Sequence, residues 1–253
     1  ILPKVKNNMA SAIKHSKLPL QKDDPVSQGA AFREHQTQVL KQLDCMQTIE
    51  HQHIQQLAEL AVVRSFSAGS TIISEHTAHR FLYIILLGSI CLRLHDRAGR
   101  EVLIGYLNRG DIFGEGALFG DQFRSAAAQA ETTCYLMQIP IGELSTLISQ
   151  APELETMLRG IYRQRLVAST LARVPLFNQL LPLTRVEIGE MLEQCSYERD
   201  SFILREGECS DAFYMIESGE VVVESQGHTL AYLDEGDFFG EMSLLSDGPH
   251  SAD

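Results

Sequence analysis

The fold is decided by one stretch of this sequence, Gly110-Asp111-Ile112-Phe113-Gly114-Glu115-Gly116-Ala117-Leu118-Phe119-Gly120-Asp121-Gln122-Phe123-Arg124-Ser125-Ala126. The stretch combines closely spaced glycines, an acid at the start of a run that can form a short helix, and a tight turn. An arginine follows nine residues after the acid (124 − 115), with a hydroxyl beside it. Together these features predict a pocket that holds a small phosphate ester.

The chemistry of the individual residues favours a nucleotide as the ligand. Gly114 and Gly116 let the backbone approach a ligand without a Cβ in the way, and free N–H groups at the start of the 115–119 run face an anion. Arg124 offers a planar, permanently charged fork to phosphate oxygens. Glu115 is a poor phosphate contact, and we interpret it as an acceptor for a sugar hydroxyl. An arginine for phosphate and a glutamate for a sugar hydroxyl together predict a nucleotide whose phosphate and sugar are held close together.

These residues closely resemble the phosphate-binding cassette of cyclic nucleotide-binding domains, the type found in catabolite activator protein and in regulatory subunits of cyclic-AMP-dependent kinase. The resemblance rests on the runs 113–118 and 124–126. It implies an eight-stranded β-roll with helices at both ends that binds cyclic AMP or cyclic GMP.

The resemblance also assigns roles to positions of the cassette. Glu115 takes the ribose 2′-hydroxyl, Arg124 the cyclic phosphate, and Ser125 a phosphate oxygen or the purine edge. The alternative interpretation is a glycine-rich strand, turn and strand with an ordinary surface Glu and Arg. The expected ligand-binding set is Phe113, Gly114, Glu115, Gly116, Ala117, Arg124, Ser125 and Ala126.

An internal repeat indicates two copies of one domain. At an offset of 131 (for example 219 − 88), the run 69–72 matches 200–203, and Glu75, Tyr83 and Gly88 match Glu206, Tyr214 and Gly219. The run 110–115 matches 236–241 at an offset of 126 (236 − 110), so the second copy has a hairpin five residues shorter (131 − 126). Hairpin tips tolerate such deletions. Self-similarity over this length predicts tandem domains.

The second copy departs from the cassette at one position. Glu241 is in place, but the residue nine positions later (250 − 241) is His250, where the resemblance leads us to expect arginine. A largely neutral imidazole cannot supply a permanent bidentate charge, and losing that partner costs on the order of 2–3 kcal/mol. We expect this site to bind weakly, to need acid pH, to prefer another ligand or to be purely structural. Its residues are Gly240, Glu241, Met242, Ser243, His250 and Ser251.

The order of elements predicts an α+β fold of two tandem β-rolls, double-stranded and jelly-roll-like, with flanking helices. Helical spacing marks 31–60, with Thr48 as the expected cap of its second helix. Short β-type runs with glycines occupy 62–139, for example 71–73, 81–86, 90–94, 102–106 and 132–139. Helices follow at 141–150 and 153–171. The second copy is expected to open with a helix over 185–195.

The predicted domains follow from the repeat. Residues 1–47 form an N-terminal linker and helical lead, with a short helix at 9–15. Residues 48–172 form cyclic nucleotide-binding domain A, and 173–253 form domain B, incomplete at its C-terminus. The chain begins without methionine and stops within a motif, so we expect a fragment of a longer protein.

Composition narrows the classes of partner. The net charge of −12, from 33 acids against 21 Lys plus Arg, argues against a broad nucleic-acid or anionic-membrane footprint. The apolar run 81–94 is too short to span a bilayer as a helix, which takes about 20 residues.

His51 and His53 lie on different helix faces, so no metal site is expected. Five cysteines without a Cys-x-x-Cys pair indicate reduced thiols in a cytoplasmic protein.

The sequence favours a regulatory, non-catalytic protein. Domain A senses a cyclic nucleotide and moves its following helices, with Tyr162 as a candidate base-stacking residue; the output domain or partner protein lies outside the segment. The alternative is a pair of degenerate β-rolls that serve as a scaffold for dimerisation or protein interaction. No catalytic constellation, cofactor motif or phosphate loop stands out.

Overall fold

A computed structural model describes residues 30–75, 77–96, 99–119, 126–174, 177–207 and 212–240. A 3₁₀ turn at Asp44–Met46 lies between the first two helices. The helices are α1 (Ala30–Lys41), α2 (His51–Leu60), α3 (Gly116–Phe119), α4 (Ile141–Ile148), α5 (Pro152–Arg173) and α6 (Pro182–Glu190).

Twelve strands are present in the described ranges, eight of them in the first copy. The first copy contributes β1 (Val62–Phe66), β2 (Thr71–Ile73), β3 (Phe81–Leu87), β4 (Ile90–His95), β5 (Glu101–Leu107), β6 (Ile112–Phe113), β7 (Ala127–Ala130) and β8 (Cys134–Pro140). The second copy contributes β9 (Tyr214–Met215), β10 (Val221–Ser225), β11 (His228–Leu233) and β12 (Phe238–Phe239).

The strands of the first copy form two four-stranded antiparallel sheets. One sheet has the order β1-β8-β3-β6 and the other the order β2-β7-β4-β5. In the described part of the second copy, β12 pairs with β9 and β10 pairs with β11. This architecture, with helices before and after the sheets, confirms the predicted α+β β-roll.

Strand β3 shows why its sequence is apolar without interruption. Successive side chains of a strand point to opposite faces. Leu82 and Ile84 pack against the helices, in a core shared with α1, α2, α4 and α5. Tyr83 and Ile85 pack between the two sheets. Both faces are therefore buried, which stabilises the fold by about 1.5–3 kcal/mol for each large aliphatic side chain.

The repeat recurs in the backbone of the two copies. Gly110 donates its N–H to the carbonyl of Ile85 at 2.8 Å, and Gly236 donates to Ile216 at 2.8 Å. The Glu75 carboxylate accepts the N–H of His95 at 2.9 Å. The equivalent Glu206 accepts the N–H of Gln226 at 3.3 Å.

Two helix boundaries differ from the prediction. Helix α6 begins at Pro182 and ends at Glu190, instead of spanning 185–195. Proline suits the first turn of a helix because its missing N–H has no intrahelical partner there. Thr48 does not cap α2, because the N-cap is Glu50 and makes no side-chain capping bond. Thr48 lies instead in the turn that follows the 3₁₀ segment, where Ile49 donates its N–H to the carbonyl of Met46 at 3.2 Å.

Three strands, β1, β6 and β7, were not among the individual β-type runs singled out in the sequence. The sequence of β7 is Ala-Ala-Gln-Ala, which lacks the β-branched and aromatic residues typical of strands. It is extended because it pairs with β2 on one side and β4 on the other. The predicted helix at 9–15 lies outside the described residues.

Candidate functional site

The cassette leaves the sheet at Gly114. Strand β6 pairs with β3, and the rings of Phe113 and Tyr83 stack with centroids 4.9 Å apart. Gly114 then takes φ +88°, and a Cβ at this position would lie 2.5 Å from the carbonyl oxygen of Phe81. Only glycine satisfies both conditions. The turn directs the next residue, Glu115, into the interior.

Glu115 is buried, with 3% of its surface exposed. Its Oε2 accepts a hydrogen bond from Nη1 of Arg165, on α5, at 2.6 Å. Arg165 also donates to the carbonyl of Ile112. An uncompensated carboxylate would be costly at this depth, so the arginine is what permits its burial. The interpretation of this residue as an ordinary surface glutamate is wrong.

Arg165 is a site residue that the sequence analysis missed. It lies 50 positions from Glu115, on the helix predicted over 153–171, where only Tyr162 was named as a candidate ligand contact. The only signal in the sequence was an arginine on the helix that follows the β-roll. The sequence does not show which face of that helix meets the cavity, so this arginine could not be singled out.

A cavity of about 100 Å³ lies between the cassette and α5. Of the predicted ligand-binding residues, Phe113, Gly114, Glu115, Gly116 and Ala126 line it, and Ala117 lies in α3 without lining it. Arg124 and Ser125 lie outside the described residues. The other lining residues include Ile73, His79, Leu92, Ile104, Tyr162, Arg165, Leu166, Ser169, Arg173, Glu235 and Gly236.

Helix α5 carries Tyr162 to the cavity. The tyrosine ring packs against Phe119 with centroids 5.9 Å apart. Its hydroxyl donates a hydrogen bond to Oε1 of Glu235, in the second copy. The predicted candidate for base stacking is thus at the cavity; its stacking role stays a prediction.

The second copy closes one side of the same cavity. Thr170 of α5 donates its hydroxyl to the carbonyl of Gly236 at 3.2 Å. Arg163 of α5 forms an ion pair with Glu217 at 3.2 Å. Helix α5 therefore contacts both the cassette of the first copy and the turn that precedes the cassette of the second.

The second cassette begins with the same geometry. Gly240 has φ +82°, and a Cβ there would lie 2.6 Å from the carbonyl oxygen of Ala212. The rings of Tyr214 and Phe239 stack at 5.1 Å. The other predicted residues of this site, Glu241, Met242, Ser243, His250 and Ser251, lie outside the described residues.

The described ranges hold neither a membrane-spanning helix nor a three-ligand metal cluster. No helix within them is both long enough and apolar enough to cross a bilayer. They contain no group of three His, Cys, Asp or Glu side chains placed to hold a metal ion. His51 is exposed, whereas His53 is buried and bonded to Glu153.

The fold and site together define a class of protein. It is a tandem β-roll in which a cassette that turns at a glycine places a buried glutamate at a cavity of about 100 Å³ beneath a helix. The family model described as "Cyclic nucleotide-binding domain" matches residues 63–151 and 194–253. The chain belongs to this family, as its cassette indicated.

Characterised relatives are similar over most of this chain. A cAMP-dependent protein kinase regulatory subunit of Eremothecium gossypii is 30% identical over 188 residues, 74% of this chain and 38% of that protein. The cGMP-dependent protein kinase egl-4 of Caenorhabditis briggsae is 27% identical over 216 residues, 83% of this chain and 27% of that protein. The chain thus spans less than half of either relative.

Two solved structures are similar at the level of chain path. The cAMP-bound PfPKA-R structure has a TM-score of 0.44 and 21% identity, covering 92% of this chain and 78% of that chain. The Thermus thermophilus catabolite activator protein has a TM-score of 0.44 and 22% identity, covering 48% and 57%.

Proposed function

We propose that the protein is a cyclic nucleotide sensor that binds cyclic AMP or cyclic GMP in domain A. The observation that carries the proposal is the buried Glu115, held at the cavity by the Gly114 turn and by Arg165. Glu115 accepts the ribose 2′-hydroxyl, Arg124 binds the cyclic phosphate and Ser125 a phosphate oxygen or the purine edge. The proposed domains are 48–172 and 173–253.

The contacts of α5 support a route for the signal. The helix meets the cassette through Arg165 and the second copy through Arg163 and Thr170. A ligand that exchanges contacts with Glu115 changes what Arg165 pairs with, and so biases the position of the helix. The shift is limited by the difference in ligand affinity between the two helix positions.

The output lies outside this segment in the proposal. A protein kinase is the class of partner that the names of the relatives suggest. The sensor itself is non-catalytic and works in the cytoplasm, where the free thiols of Cys45, Cys91, Cys134 and Cys195 would stay reduced.

One observation favours the second candidate, a non-binding scaffold for dimerisation or protein interaction. The cavity of about 100 Å³ is smaller than the roughly 300–1,000 Å³ of typical ligand pockets. In the sensor proposal, α5 moves away to admit the ligand. In the scaffold proposal, the cavity keeps its present size.

Calorimetric titration distinguishes the two candidates. We expect at least one of cyclic AMP and cyclic GMP to bind, and Arg124→Ala to weaken binding by about a hundredfold or more, because a charged hydrogen-bond partner is lost. Arg199→Ala is the matched control, since the Arg199 side chain is 94% exposed. If neither nucleotide gives binding heat or a thermal shift, the sensor proposal is excluded and the scaffold proposal remains.

A further inference from the structure

The cavity of the first copy is completed by two residues of the second copy. Glu235 and Gly236, in the turn between β11 and β12, line it. The turn is fixed from both sides, because Gly236 donates its N–H to Ile216 at 2.8 Å and its carbonyl accepts the hydroxyl of Thr170 at 3.2 Å. The position of Glu235 at the cavity is therefore built into the packing of the second copy on α5.

Glu235 and Tyr162 present a donor and an acceptor side by side. The Tyr162 hydroxyl donates to Oε1 of Glu235, and both residues line the cavity. A carboxylate accepts hydrogen bonds at two oxygens, whereas a phenol both donates and accepts. A ligand that enters the cavity can exchange bonds with this pair.

The imidazole of His79 adds an acceptor without a hydrogen-bond partner to the cavity lining. His79 donates from Nε2 to the carbonyl of Gly114 at 3.1 Å, since a carbonyl can only accept. In the neutral ring its Nδ1 is then an acceptor, and this atom is buried with no hydrogen-bond partner. Two cavity-lining donors already have partners: Arg165 donates to Glu115 and Ser169 donates to Leu166.

The two candidate bases differ in the donors they offer. The Watson–Crick edge of guanine carries two adjacent donors, N1–H and the N2 amine, beside the O6 acceptor. The same edge of adenine carries one donor, the N6 amine, beside the N1 lone pair. A carboxylate matches two adjacent donors through both of its oxygens, as it does with the fork of arginine.

Building on the proposed function, we infer that Glu235 reads the purine of the ligand held in domain A and that the site selects cyclic GMP. The carboxylate of Glu235 accepts from N1–H and N2–H₂, and the Tyr162 hydroxyl turns to donate to O6, so Tyr162 meets the edge of the base in this arrangement and does not stack on its face. Cyclic AMP donates one hydrogen bond to the carboxylate, and the N1 lone pair of adenine faces the negative charge of Glu235. The base specificity of one copy is thus supplied by the other.

Three nucleotides test this assignment by calorimetry on the protein and on Glu235→Gln. We expect cyclic GMP to bind at least about tenfold more tightly than cyclic AMP, equivalent to about 1.4 kcal/mol. Cyclic IMP, which lacks the N2 amine, should fall between them. Glutamine keeps one acceptor but opposes an amide N–H₂ to the purine donors, so Glu235→Gln should reduce the preference to about twofold or less.

Glu217→Gln is the matched control, because Glu217 also pairs with α5 but does not line this cavity. It should leave the ratio of affinities unchanged. Cyclic AMP binding as tightly as cyclic GMP, or a ratio unaffected by Glu235→Gln, would overturn the inference. Equal tightening of both nucleotides in Glu235→Gln would also overturn it and show that Glu235 plugs the cavity. Binding of no nucleotide to either protein would remove the sensor function itself.

Discussion

At position 114 both the backbone conformation and the space around the residue require glycine. Its φ of +88° strains any residue with a Cβ, and the Phe81 carbonyl oxygen would lie 2.5 Å from that Cβ. Gly69 has a similar φ of +82° with nothing within 4 Å of the added carbon. A substitution at Gly69 therefore measures the free-energy cost of the backbone conformation alone, whereas one at Gly114 adds the cost of steric overlap.

Gly114→Ala should lower the free energy of unfolding by about 3 kcal/mol or more, because left-handed strain of about 1–2 kcal/mol adds to overlap with a backbone atom. Gly69→Ala should cost only the conformational part, about 1–2 kcal/mol. Denaturant unfolding of both variants provides the measurement. Equal losses would show that the Phe81 carbonyl does not restrict this position.

At the scale of elements, a hydrogen bond ties the helix before the β-roll to the helix after it. Nδ1 of His53, on α2, lies 2.5 Å from Oε1 of Glu153, in the first turn of α5. The hydrogen bond from His53 is the main cause that lowers the pKa of Glu153 below its ordinary value of 4.5. The contact spans 100 positions of sequence and anchors the start of α5.

The lowered pKa predicts how stability depends on pH. A carboxyl with a lower pKa in the folded state stabilises the fold above its unfolded pKa, and this contribution disappears as the pH falls through the folded value, below 4.5. The free energies of unfolding of the protein and of Glu153→Gln should therefore differ near pH 6 and converge as the pH falls below about 4.5.

Unfolding titrations between pH 7 and pH 3 test this expectation. Glu155→Gln is the matched control, because Glu155 lies on the same helix and pairs with Arg159 at the surface. Its effect should be smaller over the same range. A difference for Glu153→Gln that persists unchanged at the acid end would contradict the prediction.

At the scale of the whole molecule, the two copies are joined by a buried arginine as well as by α5. Arg185 of α6 is 1% exposed and donates to the carbonyl of Leu103, in β5 of the first copy. It also donates to the carbonyl of Asn178 at 3.4 Å, and Asn178 reaches Asp96 at 3.4 Å. Burial lowers the pKa of Arg185. A fully desolvated side chain thus fixes α6 on β5.

Arg185→Met keeps much of the side-chain volume and removes the donors. It should lower the free energy of unfolding by about 2–3 kcal/mol, because the Leu103 carbonyl is left buried without its partner. Arg199→Met, at an exposed position, should change it by about 0.5 kcal/mol or less. Thermal and denaturant unfolding measure both. Unchanged or increased stability would mean that the cost of burying the Arg185 charge offsets its hydrogen bonds.

Local patterns predicted much of the fold. The runs of β3, β4, β5 and β8 and the long helix α5 were predicted close to their observed bounds, because periodicity and chain breakers act over a few residues. Strand β7 was not, because pairing partners far along the chain make its alanines extended. Helix α6 was misplaced by three residues at its start (185 − 182).

The sequence by itself determined the family, the two copies and the cassette glycines with Glu115, because these depend on residue types at fixed spacing. Only the tertiary structure decided what compensates Glu115, what joins Tyr162 to the second copy and what holds α6. Those contacts join residues 50, 73 and 82 positions apart. Such pairs are set by how helices and sheets pack, since burial leaves polar side chains to find partners in space and not in sequence.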